Sequence, residues 1–156
     1  MNTRTVLFVC VHNSARSQMA EAFLNRIGGD DFYAESAGLE PGQLNPVVIA
    51  VMQEIGIDLT GKQIHDVFDF VKQGKQYDYV ITVCDEAAGE RCPVFPGKAE
   101  RLHWTFEDPS SFKGPEEQRI MKTRMVRDQI YQRVNTFVEE RRTLTVKKEH
   151  PLQARV

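Results

Sequence analysis

Thr5-Val6-Leu7-Phe8-Val9, running into Cys10-Val11-His12-Asn13-Ser14-Ala15-Arg16-Ser17, is the stretch that decides the fold. Its first five residues are apolar and partly β-branched, the pattern of a buried strand. Further on, Met19, Ala22, Phe23 and Ile27 recur at helical spacing, and Gly28-Gly29 supplies the stop. A strand, a short loop and a helix N-terminus in that order make a cradle of backbone N–H groups for an anion. Cys10 stands at its mouth, where Arg16 and the helix end both favour a thiolate. Through its planar fork, Arg16 can grip two oxygens of a tetrahedral anion. A bare Cys-x5-Arg spacing would mean little, because free cysteines are usually small core hydrophobes. Its place between strand and helix makes Cys10 a candidate nucleophile toward an oxyanion, with Val11, His12, Asn13, Ser14, Ala15 and Arg16 as the binding loop.

Outward from that loop, strands and helices alternate. Phe32 to Ala37 reads as a second strand, ended by Gly38. Asn45-Pro46 supplies an N-cap and a first-turn proline for a helix through Val48, Met52 and Ile55, closed by Gly56. A short helix is expected from Asp66 to Lys72. Tyr79 to Val83 forms the third strand with Cys84 as its last residue, and Leu102-His103-Trp104 lies in a short fourth strand. The last helix is expected from Pro115-Glu116 to about Arg141, with Val126, Ile130, Val134, Phe137 and Val138 on one face. Alternation of this kind predicts an α/β fold, a four-stranded parallel sheet with helices on both faces. Every carboxyl end of such a sheet points to one edge, so Cys10, Cys84 and Asp108 share a rim.

The chain of 156 residues is long enough for one domain with a real core. A net charge of −2 offers no electrostatic reason to bind nucleic acid or an anionic membrane. No apolar run approaches membrane-spanning length, and the stretch after Met1-Asn2-Thr3-Arg4 is too short for a signal peptide. The expectation is a cytoplasmic monomer in which three cysteines stay reduced and reactive. The domain is expected over residues 1–141, with 142–156 as a flexible tail in which Leu144-Thr145-Val146 alone has the make-up of an edge strand.

Cys84 and Cys92 admit three readings. They are buried packing residues, or zinc ligands together with Cys10 and His103, or members of a thiol relay. The Cys-x7-Cys interval lacks the short knuckle of structural zinc sites. In a relay, Cys84 attacks Cys10 and Cys92 then attacks Cys84. A helix over Asp85 to Arg91 would hold the two Cα atoms about 12 Å apart, at ~1.5 Å per residue. A disulfide needs them within about 7 Å. Gly89 weakens that helix and Pro93 blocks its continuation, so the segment is expected to unwind when the bridge forms.

The run from Val9 to Glu21, VCVHNSARSQMAE, resembles the thioredoxin-coupled arsenate reductases, which share the low-molecular-weight protein tyrosine phosphatase fold. Glu35-Ser36-Ala37-Gly38, Cys84 with Cys92, and His103-Trp104 leading to Asp108-Pro109 extend the likeness to about Arg141. The resemblance implies that Cys10 attacks arsenate held by Arg16 and the loop amides, with phosphate or sulfate able to mimic it. Ser17 would donate to the thiolate, and Asp108 would protonate the departing oxygen. Cys84 and then Cys92 would carry the oxidation to an accessible disulfide that thioredoxin reduces. No cofactor is implied as a requirement. Some reductases of this type hold potassium beside the loop, where Asn13, Glu21, Ser36 and Asp66 match.

Departures from the pattern are specific. His12 stands where phosphatases of the fold have glycine, a place where a positive φ would be tolerated by His at some strain. Ala15 replaces a cysteine common in relatives, and Ser110-Ser111 follow Asp-Pro where phosphatases carry tyrosine. Cys84 and Cys92 are one residue further apart than the pattern leads one to expect. The nearest alternative activity is phosphomonoester hydrolysis of the low-molecular-weight phosphatase type, using Cys10, Arg16 and Asp108. A non-catalytic oxyanion or redox sensor is the rival from another class.

Overall fold

The computed structural model describes residues 3–85 and 89–149, with 144–149 described by backbone alone. Four strands form one sheet: β1 (Arg4–Cys10), β2 (Phe32–Gly38), β3 (Tyr79–Thr82) and β4 (Glu100–His103). Their order across the sheet is β2-β1-β3-β4, and every pair is parallel. The chain thus moves one way from β1 to β2 and the other way through β3 to β4. With right-handed crossovers, the first connection covers one face and the later two cover the other. The reversal falls between β1 and β3, where ligands of open α/β sheets settle. Cys10, the last residue of β1, is paired in register with Gly38 at the end of β2.

Helix α1 (Arg16–Ile27) leaves the Cys10 loop directly. Helix α2 (Pro46–Gln53) begins as expected: Asn45 Oδ1 accepts from Val47 N–H at 2.8 Å, and Pro46 fills the first turn. Asp66 caps α3 (Val67–Lys72) through Phe68 N–H at 2.8 Å. The last helix, α4 (Glu116–Glu149), lies against α1 and α2 and buries Val126, Ile130, Val134, Phe137 and Val138.

Two expectations change. Cys84 is not in the third strand. β3 ends at Thr82, whose carbonyl receives Trp104 N–H at 2.8 Å; after Val83 N–H bonds Val9 O the chain turns away. The final helix does not stop near Arg141 but continues to Glu149, so Leu144 to Val146 form no edge strand. No glycine or proline interrupts this sequence before Pro151, and the Arg142 guanidinium pairs with Asp31 at 2.9 Å and bonds the Gly28 carbonyl. The remainder of the tail, 150–156, lies outside the described residues. Helix between the second and third cysteines is met at Gly89 and Glu90, where Gly89 N–H bonds Asp85 O at 2.9 Å; the part on 86–88 lies outside the described residues.

Candidate active site

The loop from Cys10 to Ala15 is held by its carbonyls. Those of Cys10, Val11, His12 and Ser14 accept from Leu39, Glu40, Gly42 and Asn45 N–H at 2.7–3.1 Å. Accounting for the carbonyls in this way faces them toward the 39–45 segment and leaves the amide side for a ligand. The approach is close enough to demand glycine at 38, where a Cβ would sit 2.9 Å from the backbone of Val11, His12 and Asn13. Gly38 reads from the sequence as a strand stop and part of a family match; its packing role depends on a neighbour 25 residues upstream and has no local signature. The left-handed residue of the loop is Asn13, with φ of 55°, and not His12. Asn is one of the side chains that visits this region at small cost. His12 instead ties the loop outward, its Nδ1 lying 2.8 Å from Glu40 O.

Cys10 is buried, and two groups converge on its sulfur: Ser17 Oγ at 2.8 Å and Asn13 N–H at 3.1 Å. Asn13 Nδ2 donates to Ser17 Oγ at 2.8 Å, which leaves the Ser17 hydroxyl proton free to point at sulfur. The N-terminus of α1 is buried through Ala15, Arg16, Ser17 and Gln18, yet its N-cap receives no side-chain hydrogen bond. A buried helix start without a cap has amide donors to offer.

Arg16 is fixed at one end of its fork. One Nη donates to Phe106 O at 3.2 Å and the other lies 3.6 Å from an Asp108 carboxylate oxygen. Its Nε is buried and has no partner. A buried guanidinium N–H left over beside an uncapped helix and a buried thiol is a donor set waiting for oxygen. Asp108 is one-third exposed, and its other oxygen accepts from Ser110 N–H at 3.0 Å, which orients the carboxylate over the Arg16 fork.

Cys84 is fully buried in the same neighbourhood. Burial pushes its thiol up to about 11, the adjacent Cys10 adds to the rise, and Arg16 opposes it. Cys92 is placed differently. Its sulfur lies 3.7 Å from the Pro93 carbonyl and its own carbonyl accepts from Arg101 at 3.3 Å. Burial raises this thiol too, with Arg101 pulling the other way. All three cysteines are free. The structure therefore brings Cys10, Asn13, Arg16, Ser17, Cys84 and Asp108 into one site and leaves Cys92 with other partners.

The four residues matched to a potassium site are each engaged. Asn13 Oδ1 accepts from Gln18 Nε2 and His65 N–H, both at 3.1 Å. Ser36 Oγ donates to Glu21 Oε1 at 3.0 Å, and the other Glu21 oxygen is paired with the Lys62 ammonium. Asp66 caps α3. Gln18 Oε1 is buried without a donor. Both lone pairs of Asn13 Oδ1 are thus committed, and the charge of Glu21 is met by Lys62.

The sequence pattern of the low molecular weight phosphotyrosine protein phosphatase family matches residues 5–151. The chain belongs to this family. Among its relatives, an arsenate reductase of Halalkalibacterium halodurans is 41% identical over 139 residues, covering 89% of this chain and 98% of that one. A solved arsenate reductase in a phosphate-binding state is 32% identical, with a TM-score of 0.69 over 88% of this chain and 98% of its own. A thioredoxin-dependent arsenate reductase of Corynebacterium glutamicum is 28% identical, with a TM-score of 0.59 over 86% of this chain and 63% of its own. The family match spans the sheet and the Cys10 loop together. Among the described residues, no helix is long and apolar enough to cross a membrane.

Proposed function

We propose that this chain reduces arsenate to arsenite by a relay of three thiols recycled by a thioredoxin-type dithiol. The observation that carries the reading is a second buried thiol, Cys84, near enough to Cys10 and Arg16 for the charge of each to act on it, at the edge of an oxyanion cradle. Hydrolysis of a phosphate ester needs one thiol; transfer of oxidation needs another within reach. The likeness to an arsenate reductase along 98% of its length supports the same reading.

Arsenate enters with its oxygens on the α1 amides and the free Arg16 Nε. The Cys10 thiolate, accepting from Ser17 and Asn13, forms a sulfur–arsenic bond. One arsenic–oxygen bond breaks, and Asp108 delivers a proton so that this oxygen leaves as water. Cys84, as thiolate, then attacks the Cys10 sulfur. A disulfide forms, the sulfur–arsenic bond breaks, and its electron pair remains on arsenic, which leaves as arsenite. Cys92 attacks Cys84 in turn, releasing the Cys10 thiolate and leaving a Cys84–Cys92 disulfide. Two electrons from the external dithiol restore both thiols.

Thiol mapping by mass spectrometry after one round of arsenate without reductant tests the proposal. A Cys84–Cys92 bridge with one arsenite per chain is expected. Unmodified Cys84 and Cys92 alongside turnover of phosphate esters would overturn it in favour of a hydrolase built on Cys10, Arg16 and Asp108.

A further inference from the structure

We infer that the Lys62 ammonium is the resident cation behind the oxyanion loop, so that the loop's shape rests on a side chain where a bound monovalent ion would otherwise be needed. The starting point is Glu21, a carboxylate on α1 with only 6% of its side chain exposed. A buried carboxylate demands a counter-charge. Ser36 satisfies one of its oxygens but brings no charge. The charge comes from Lys62, which is one-third exposed and reaches in from the surface.

Delivery of Lys62 is built into the chain ahead of it. Asp58 accepts from the amide and hydroxyl of Thr60, and Gly61 turns the backbone with φ of 79°. The residues that follow form a strap across the back of the loop. Gln63 O accepts from Gln18 Nε2 at 3.2 Å, and His65 N–H donates to Asn13 Oδ1. His65 O accepts from Gly38 N–H at 2.8 Å. Asn13 is the left-handed residue whose N–H meets the Cys10 sulfur, so the strap holds the conformation that builds the cradle. The Lys62–Glu21 pair pins the start of that strap to α1. Lys62 is a positioning residue, since it touches neither thiol nor substrate.

The inference rests on the loop being an oxyanion site and not on arsenate being reduced, so inorganic phosphate serves as the probe. Phosphate affinity and thermal melting are measured in potassium chloride and in choline chloride at equal ionic strength. For the unmodified chain the two salts are expected to give the same values. Lys62→Gln is expected to lose about tenfold in phosphate affinity in choline, as for a broken, partly buried ion pair. Potassium should restore most of it, and Lys62→Arg should bind as the unmodified chain does in either salt. A potassium response in the unmodified chain, for instance through the unpartnered Gln18 oxygen, would overturn the inference. So would a Lys62→Gln variant that binds phosphate normally in choline. If that variant does not fold, the Glu21→Gln/Lys62→Gln pair removes the buried charge together with its partner. It must then melt above the single variant, and failure to do so also overturns the inference.

Discussion

Around Cys10, four backbone attachments, a glycine contact and the strap from Lys62 to His65 hold one loop, whereas Cys92 is tied to its near neighbours Gly89 and Pro93 and, through its carbonyl, to Arg101. The described residues that flank Cys92 are open, with Arg91 paired to Glu40 at the surface and Val94 79% exposed. A nucleophile that must meet a tetrahedral anion needs donors already in place. A thiol that must travel to another sulfur and then face an external reductant needs the opposite.

The difference can be broken at its strongest point first. Cys10→Ser is expected to cut arsenate reduction at least about a thousandfold. Phosphate binding should persist, because the amides and Arg16 remain; initial rates and a phosphate titration check both. Cys92→Ser comes next. Steady turnover should cease after one arsenite per chain, read as a burst in rapid quench, while any hydrolysis of phosphate esters continues unchanged. Gly38→Ala probes the rigid region without touching chemistry. Overlap with the backbone of three loop residues should cost about 1–3 kcal/mol in urea unfolding and weaken phosphate binding in parallel.

The smallest effect concerns Cys84. Its thiol titrates near 11 in the folded chain and near 9 when unfolded, so the folded state holds the proton more tightly. Stability from this source is intact below the unfolded value and falls as pH rises toward the folded one. Cys84→Ala should flatten that alkaline loss in urea melts collected across the window. The raised thiol also makes single-turnover formation of the Cys10–Cys84 bond accelerate with pH through the neutral range.

What could be read along the chain was local in cause. Strand, loop and helix around Cys10, the Asn45-Pro46 start of α2 and the apolar face of α4 all follow from residues close in sequence. That the left-handed residue is Asn13 is not readable locally, because the choice depends on how Gly38 and the 39–45 segment press on the loop. Cys84 fell outside β3 for a similar reason, since the sheet's last bonds decide where the strand ends. The roles of Gln18, Lys62 and His65 arise from contacts dozens of residues apart, and no periodicity announces them. Continuation of α4 past Arg141 was legible in principle, because the stretch lacks any helix breaker before Pro151.

The far end of α4 sits over the opposite edge of the sheet. Arg141 accepts from Arg4 at the start of β1 and reaches Glu100 at the start of β4, and Arg142 grips Asp31 just before β2. Seven residues of β1, about 20 Å at the usual rise, separate that edge from Cys10. A linker grafted there would anchor the molecule to a bead or an electrode with its working face outward, an orientation suited to sensing arsenic in water.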